Sequence, residues 1–184
     1  MAEVVLFHHL RGLTDGVRAL ADGLRAGGHT VHTPDLFGGV RPDSLEAGAA
    51  LAKEIDERDW SEFDGLVYAG VSWGVMLAQR LAQTRPGARG ALLYEACLPV
   101  TGEWAIGPWP QGVPVQIHGM DDDPFFAREG DLEAAEALIK STSRAQLYVY
   151  KGDRHLFTDS TLPSYDADAT ALVLERSRAF LDAL

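Results

Sequence analysis

The sequence predicts an α/β fold, a three-layer sandwich in which about six mainly parallel strands are covered by helices on both faces. Three observations predict it. The length of 184 residues suits a single domain spanning residues 1–184. Hydrophobic residues at 46% and charged residues at 23% are typical of a globular chain with one core. Short apolar runs alternate with amphipathic segments, which is the pattern of a parallel sheet with crossover helices.

Six short runs rich in β-branched or aromatic residues, bounded by Gly or Pro, are typical of buried strands. They cover Val4–Phe7, Thr30–Thr33, Gly65–Ala69, Ala91–Tyr94, Val113–Ile117 and Ala145–Tyr150.

Between these runs, apolar residues recur at helical spacing. The repeats are Val17, Leu20, Ala21 and Leu24; Leu132, Ala135 and Ile139; and Ala169, Leu172, Val173 and Phe180. The pair Gly27-Gly28 ends the first helix. The longest stretch without regular structure, from Pro99 to Gly112, is too short to form a separate cap domain.

Composition argues against several classes of partner. The chain carries 27 acidic and 16 basic residues, a net charge of −11, which repels nucleic acid and anionic membrane surfaces. One cysteine, Cys97, allows no intramolecular disulfide, and no Cys/His set has zinc-ligand spacing. The opening residues MAEVVLFHHLRG carry no basic leader and only a short apolar run, so we expect a cytoplasmic location. We also expect no metal and no cofactor.

A G-x-S-x-G pattern follows the third strand. Gly70-Val71-Ser72-Trp73-Gly74 lies between the strand segment FDGLVYA and the helix-forming segment VMLAQRLAQ. This context predicts a nucleophile elbow, in which the serine adopts a positive φ and the glycines let strand and helix approach closely. The alternative is a glycine-rich turn with Ser72 as a helix N-cap.

Two later strand ends carry the partners that a serine nucleophile needs. Asp121, Asp122 and Asp123 follow the strand segment VPVQIH, and His155 follows QLYVYK. The order serine, acid, histidine is that of an α/β-hydrolase triad. The competing interpretation is a solvated acidic turn and a surface histidine.

These residues together resemble the dienelactone hydrolase family of the α/β-hydrolase superfamily. The matching segments are the first strand with HHLRGL, GHTVHTPDLFGG at 28–39, GVSWG at 70–74, HGMDDDPFF at 118–126 and GDRHLF at 152–157. The resemblance implies a minimal α/β-hydrolase fold without a cap, and hydrolysis of small carboxylic esters or lactones through an acyl-enzyme. Two differences stand out. Ser72 replaces the family's usual cysteine nucleophile, and His9 stands where the family carries a glutamate.

The resemblance also implies residue roles. Ser72 would attack the carbonyl and His155 would carry its proton. Asp123 is the first choice for the acid because Asp-Pro-Phe is the family-like form of that loop, and Asp122 is the second choice. The backbone N–H groups of Trp73 and Leu10 would form the oxyanion hole.

Other residues are open to functional and structural interpretations alike. His9, Trp104 and Trp109 are candidates for the pocket wall. His8 is either a second base or a packed strand-end histidine, and Glu95 is placed to face the site from the end of its strand.

The expected partner is a small ester or lactone, with no nucleic acid and no membrane, and the protein is expected to be a monomer or a homodimer. Two other functions compete with hydrolysis. One is a non-catalytic α/β-hydrolase-like module that binds a small ligand or a protein. The other is a flavodoxin-like domain, for which the loop HHLRGLTDG is bulky.

Overall fold

A computed structural model of the protein describes residues 1–55 and 59–184. The strands are β1 Glu3–Phe7, β2 Thr30–His32, β3 Val67–Val71, β4 Gly90–Tyr94, β5 Val115–Met120 and β6 Ala145–Tyr150. The helices are α1 Asp15–Arg25, α2 Leu45–Ala52, α3 Gly74–Thr84, α4 Asp131–Ser141 and α5 Ala167–Asp182. A short 3₁₀ turn covers Ser61–Phe63.

The six strands form one sheet in the order β2-β1-β3-β4-β5-β6, and every neighbouring pair is parallel. The predicted parallel α/β sandwich is therefore confirmed. The chain passes from β1 outward to β2 and then returns past β1 to β3, so the strand order reverses between β1 and β3. In such sheets the crevice at the carboxyl ends of the two strands flanking this reversal is the usual ligand site.

Alternate side chains of the strands divide the core between the two faces of the sheet. Val5 and Phe7 of β1 pack in a cluster with α3 and α4 residues, whereas Val4 and Leu6 pack in a second cluster with α1 and α5 residues. Each face is thus covered by helices, as the alternation of elements predicts.

Some predicted boundaries are wrong by about two residues. Strand β3 covers Val67–Val71 and not Gly65–Ala69, because Gly65 has a φ of 76° and belongs to the preceding turn. Strand β5 begins at Val115, since the N–H of Val113 instead closes a turn onto Pro110. Leu172, expected on the buried face of α5, is 41% exposed.

Within the described residues no additional domain is inserted above the sheet. The segment between β4 and β5, which the sequence predicts to be too short for a cap, contains no helix or strand. No helix in the described residues is long and apolar enough to span a lipid bilayer.

Candidate active site

Ser72 lies in a strained turn between β3 and α3. Its φ is 50°, as the elbow pattern predicts, and its N–H donates to the carbonyl of Tyr94 at 2.8 Å. A Cβ at Gly70 would lie 2.3 Å from the carbonyl oxygen of Gly74, and a Cβ at Gly74 would lie 2.3 Å from that of Phe7. Both glycines are therefore required by backbone contact. Helix α3 has no side-chain N-cap, so the alternative of Ser72 as a helix cap is wrong.

Ser72 is the first of three side chains joined by hydrogen bonds. Its Oγ lies 2.8 Å from Nε2 of His155, and Nδ1 of His155 lies 2.8 Å from Oδ2 of Asp123. The other carboxylate oxygen of Asp123 accepts the N–H groups of Phe125 and Phe126 at 2.8 and 3.3 Å. Asp123 is fully buried, so its orientation is fixed by these contacts.

The three aspartates that follow β5 each lie in a different environment. Asp121 pairs with Lys151 at 2.7 Å, and Asp122 pairs with Arg128 on the exposed side of the loop. Only Asp123 turns inward and contacts His155. The structure thus brings the first-choice acid to the histidine and leaves the second choice, Asp122, at the surface.

The environment of His155 favours its protonated form. Burial by itself lowers the pKa of the ring, but the hydrogen bond to Asp123 and the nearby carboxylates of Glu95 and Asp131 outweigh it. The pKa of His155 therefore lies above its ordinary value.

The turn after β1 presents a backbone donor beside the elbow. The N–H of Arg11 donates to Nδ1 of His9, and that of Gly12 donates to the carbonyl of His9. In the described chain neither the N–H of Leu10 nor that of Trp73 has a protein acceptor. The close approach of Gly74 to the end of β1 places this turn next to Ser72.

His9 does not line the pocket, contrary to expectation. The ring is fully buried, and its Nε2 lies 2.8 Å from Oδ2 of Asp159. Because Nδ1 accepts the N–H of Arg11, Nε2 carries the proton and donates it to Asp159. His9 therefore ties the turn after β1 to the loop that follows His155.

Asp159 is the anchor of that loop, and sequence reasoning missed it. Its carboxylate accepts hydrogen bonds from His9, from the hydroxyl of Thr14 and from the N–H and hydroxyl of Thr161. Burial would raise the pKa of Asp159, but these donors hold it well below its ordinary range. Its partner His9 is 150 residues away in the chain, so no local pattern reveals the pair.

His8 has a structural place. Its Nδ1 donates to the carbonyl of His9 at 2.7 Å, and its Nε2 accepts the N–H of Leu36 at 3.1 Å. Burial lowers its pKa to about 4. With both ring nitrogens bonded to backbone, His8 does not serve as a second base.

The two tryptophans proposed for the pocket wall also lie elsewhere. Trp109 is buried in the core, where its Nε1 donates to the carbonyl of Val113 at 2.7 Å. Trp104 is 82% exposed on the loop between β4 and β5. The start of this loop lines the Ser72 cavity through Ala96 and Leu98, but neither tryptophan does.

Two cavities open on either side of His155 and Phe125, which line both. The Ser72 cavity has a volume of about 270 Å³ and is lined by Ser72, Trp73, Val75, Met76, Glu95, Ala96, Leu98, Phe125, Glu129, Asp131 and His155. The Arg11 cavity has a volume of about 350 Å³ and is lined by Arg11, Asp43, Ser44, Leu45, Phe125, His155, Leu156, Leu162, Pro163 and Ser164.

Glu95 does reach the site from the end of β4. It has a φ of 65° and is fully buried, with Oε1 accepting the N–H and hydroxyl of Thr158 at 3.2 and 2.6 Å. Its Oε2 has no hydrogen-bond partner in the described residues. Burial raises the pKa of Glu95, opposed by the nearby His155.

Glu95, Asp123 and His155 also have the spacing of metal ligands. One ligand atom of each lies within 4.8 Å of the others. However, His155 and Asp123 already bond each other through Nδ1 and Oδ2. A metal ion bound there through Nδ1 would therefore replace the hydrogen bond that orients the histidine.

The chain is similar to known proteins in sequence and in fold. The model of the dienelactone hydrolase family matches residues 65–184. No functionally curated protein shows significant sequence similarity.

Solved structures with this fold cover essentially the whole chain. A dienelactone hydrolase-like promiscuous phosphotriesterase from metagenomic libraries is 18% identical with a TM-score of 0.71, over 100% of this chain and 87% of that one. Esterase 2 from Thermogutta terrifontis is 18% identical with a TM-score of 0.68, over 99% and 83%. An α/β-superfamily protein from Xanthomonas campestris is 19% identical with a TM-score of 0.61, over 100% of both chains.

Proposed function

The chain belongs to the dienelactone hydrolase family and is a carboxylic ester hydrolase, and on that premise we propose that it cleaves small esters or lactones through a Ser72–His155–Asp123 triad. The observation that carries the proposal is the continuous set of hydrogen bonds from Oγ of Ser72 through His155 to the buried Asp123, at 2.8 Å each.

The first half of the reaction forms an acyl-enzyme. Oγ of Ser72 attacks the carbonyl carbon while its proton moves to Nε2 of His155, and Asp123 stabilises the imidazolium that results. The N–H groups of Trp73 and Leu10 hold the oxyanion. The carbon–oxygen bond of the ester then breaks, and His155 gives its proton to the departing alkoxide.

The second half releases the acid. A water molecule gives a proton to His155 as its oxygen attacks the acyl carbon, and the bond to Oγ breaks with return of that proton to Ser72. A lactone follows the same steps, except that its alcohol stays joined to the acyl group. The cycle consumes one water per ester.

The similar structures support this chemistry. Esterase 2 from Thermogutta terrifontis was solved phosphoramylated by tabun and phosphonylated by cyclosarin. Organophosphorus agents of this kind transfer their phosphorus group to an activated nucleophile, and we propose that Ser72 is the corresponding nucleophile here.

Hydrolysis of a panel of p-nitrophenyl esters and simple lactones tests the proposal. We expect the wild-type protein to hydrolyse these substrates and Ser72→Ala to lose the activity, because the nucleophilic hydroxyl is gone. The variant should keep its fold, as measured by circular dichroism, because the methyl group of alanine still fits the elbow. Ser143→Ala, at an exposed position beyond α4, is the matched control and should behave as wild type. A folded Ser72→Ala variant with wild-type activity would exclude the triad. No hydrolysis of any ester by the wild type would favour the non-catalytic module.

A further inference from the structure

Acidic side chains outnumber Lys and Arg side chains around the Ser72 cavity. Three of its lining residues, Glu95, Glu129 and Asp131, are carboxylic acids, and none is Lys or Arg. Elsewhere on the same loop the carboxylates are neutralised, since Asp121 pairs with Lys151 and Asp122 with Arg128. The carboxylates that face the cavity have no such cation in the described parts of the chain.

Glu95, one of these three acids, is buried with one carboxyl oxygen that lacks a hydrogen-bond partner in the described residues. Oε2 of Glu95 has no hydrogen-bond partner in the described residues, although the side chain is fully buried and lines the cavity. A buried polar oxygen without a partner is costly, so a donor supplied from the cavity would stabilise it. Asp131 accepts the N–H of Cys97 at 3.0 Å and lies near His155, and burial raises its pKa to about 6.

The walls of the cavity suit a cation as well. Trp73 and Phe125 line it, and aromatic rings attract ammonium groups through their faces. Val75, Met76 and Leu98 add apolar surface to the wall, and charge interactions beside such a surface are stronger than in bulk water. The Arg11 cavity on the other side of His155 differs, because it contains a guanidinium group.

We propose that the Ser72 cavity binds a positively charged group of the substrate, so that the preferred substrates are esters or lactones carrying an ammonium group close to the scissile carbonyl. This rests on the proposed hydrolase function. In this proposal the carboxyl groups of Glu95, Glu129 and Asp131 attract the positive charge, and the rings of Trp73 and Phe125 pack against the ammonium group. Substrates with a carboxylate at the same position are repelled.

Two matched substrate series test the proposal. On the acyl side, p-nitrophenyl esters of β-alanine, butyric acid and succinic acid place an ammonium, a methyl and a carboxylate group at corresponding positions. On the alcohol side, acetylcholine and 3,3-dimethylbutyl acetate differ only in charge. Each kcat/KM is divided by the rate of hydroxide-catalysed hydrolysis of the same ester, which removes the intrinsic effect of the charge on reactivity.

We expect the cationic member of at least one series to be preferred over its neutral isostere by about tenfold at low salt, which corresponds to about 1.4 kcal/mol. We expect the succinate monoester to be disfavoured by a similar factor. The preference should shrink in high salt and fall to about threefold or less in Asp131→Asn and Glu129→Gln. The matched control is Glu133→Gln, because Glu133 is exposed on α4, the helix that begins at Asp131, and does not line the cavity. This variant should keep the full preference.

Equal normalised rates for cationic and neutral members in both series would overturn the proposal, and so would a preference that Asp131→Asn and Glu129→Gln leave intact. These results are distinct from failure of the hydrolase function itself, in which the neutral esters would not be cleaved either.

Discussion

At the scale of single residues, Asp123 is held more tightly than its neighbours in the acidic triplet. Its two oxygens bind His155 on one side and two backbone N–H groups on the other, with no exposure to solvent. Asp122 instead lies at the surface against Arg128. A carboxylate oriented in this way selects the tautomer of the histidine in which Nε2 is free to accept the serine proton.

Asp123→Asn should therefore lower kcat by about 10⁴-fold, the loss known for the same change in a serine protease, because the amide favours the wrong tautomer. Steady-state kinetics on a p-nitrophenyl ester measures it. Asp122→Asn is the matched control and should change kcat by less than about threefold. The reverse pattern would make Asp122 the orienting acid.

His155 should set the acid limb of the pH profile. Only the neutral ring accepts the serine proton, and the neighbouring carboxylates raise its pKa by favouring the charged form. The value of kcat/KM should thus fall as the pH drops through a midpoint above about 6.5, the ordinary histidine value. Profiles from about pH 5 to pH 9 on a neutral ester test this. A flat profile, or a midpoint well below 6.5, would mean that another group is the base.

At the scale of elements, three segments far apart in the chain meet around Asp159. The turn after β1, the start of α1 and the loop after His155 are joined by the hydrogen bonds of one carboxylate. A Cβ at Gly16 of α1 would lie 1.7 Å from Oδ1 of Asp159, so only glycine fits at this position of the helix. These contacts fix the turn that presents Leu10 relative to the loop that presents His155.

Asp159→Ala should destabilise the fold by about 2–4 kcal/mol, because it leaves His9 and Thr14 as buried donors without an acceptor. The shift of the urea unfolding midpoint measures the loss. Asp168→Ala, at an exposed position in the first turn of α5, is the control and should change stability by less than about 0.5 kcal/mol. Equal stability of the two variants would show that the Asp159 contacts contribute nothing to the fold.

The stabilisation by Asp159 also has a predictable pH dependence. Its donors lower the pKa of the folded state below the ordinary aspartate value. The contribution of ionised Asp159 to folding stability is therefore fully present above about pH 4, the ordinary aspartate pKa. It is lost as the pH falls from there through the lower pKa of the folded state. The difference in stability between the wild type and Asp159→Ala should therefore shrink in acid.

Part of this element-scale picture could be predicted from sequence. Strand–helix alternation is a local pattern, and it correctly ordered the six strands and the helices α1, α3, α4 and α5. Exact strand ends could not be found this way, because the turn at Gly65 and the turn ending at Val113 are set by backbone conformation and not by hydropathy. The pairing of His9 with Asp159 could not be found either, since it depends on how distant loops pack.

At the scale of the whole molecule, the carboxyl edge of the sheet collects the reactive groups. Ser72 follows β3, Glu95 follows β4, Asp123 lies just beyond β5 and His155 lies beyond β6. Because neighbouring parallel strands end at the same edge, strand ends in the sequence indicate Ser72, the acidic triplet 121–123 and His155 as partners. The family resemblance then selects Asp123 within the triplet. The prediction that Trp104 and Trp109 line the pocket was wrong because it rested on residue type alone. Neither residue follows a strand end, so the sequence does not indicate where the loop places its side chain.

The cleft formed at this edge has no cap in the described chain, so we expect the size of the Ser72 cavity to limit the length of the uncharged acyl groups that it accepts. Lengthening a p-nitrophenyl ester should raise kcat/KM by up to ~4-fold per methylene while the chain fills the cavity, and the gain should stop once the chain reaches solvent. A series from acetate to decanoate measures this. Activity that keeps rising through decanoate would require a further apolar surface.

The single-domain organisation, the cytoplasmic location and the monomeric or dimeric state stay predictions.

Covalent trapping decides whether Ser72 is the nucleophile on which the mechanism depends. The wild-type protein is treated with a fluorophosphonate, and the adduct is located by mass spectrometry of peptides. We expect one adduct, on Ser72, with ester hydrolysis lost in proportion to labelling, and no adduct in Ser72→Ala. An adduct on another residue, or full hydrolysis by protein that is completely labelled on Ser72, would contradict the triad mechanism.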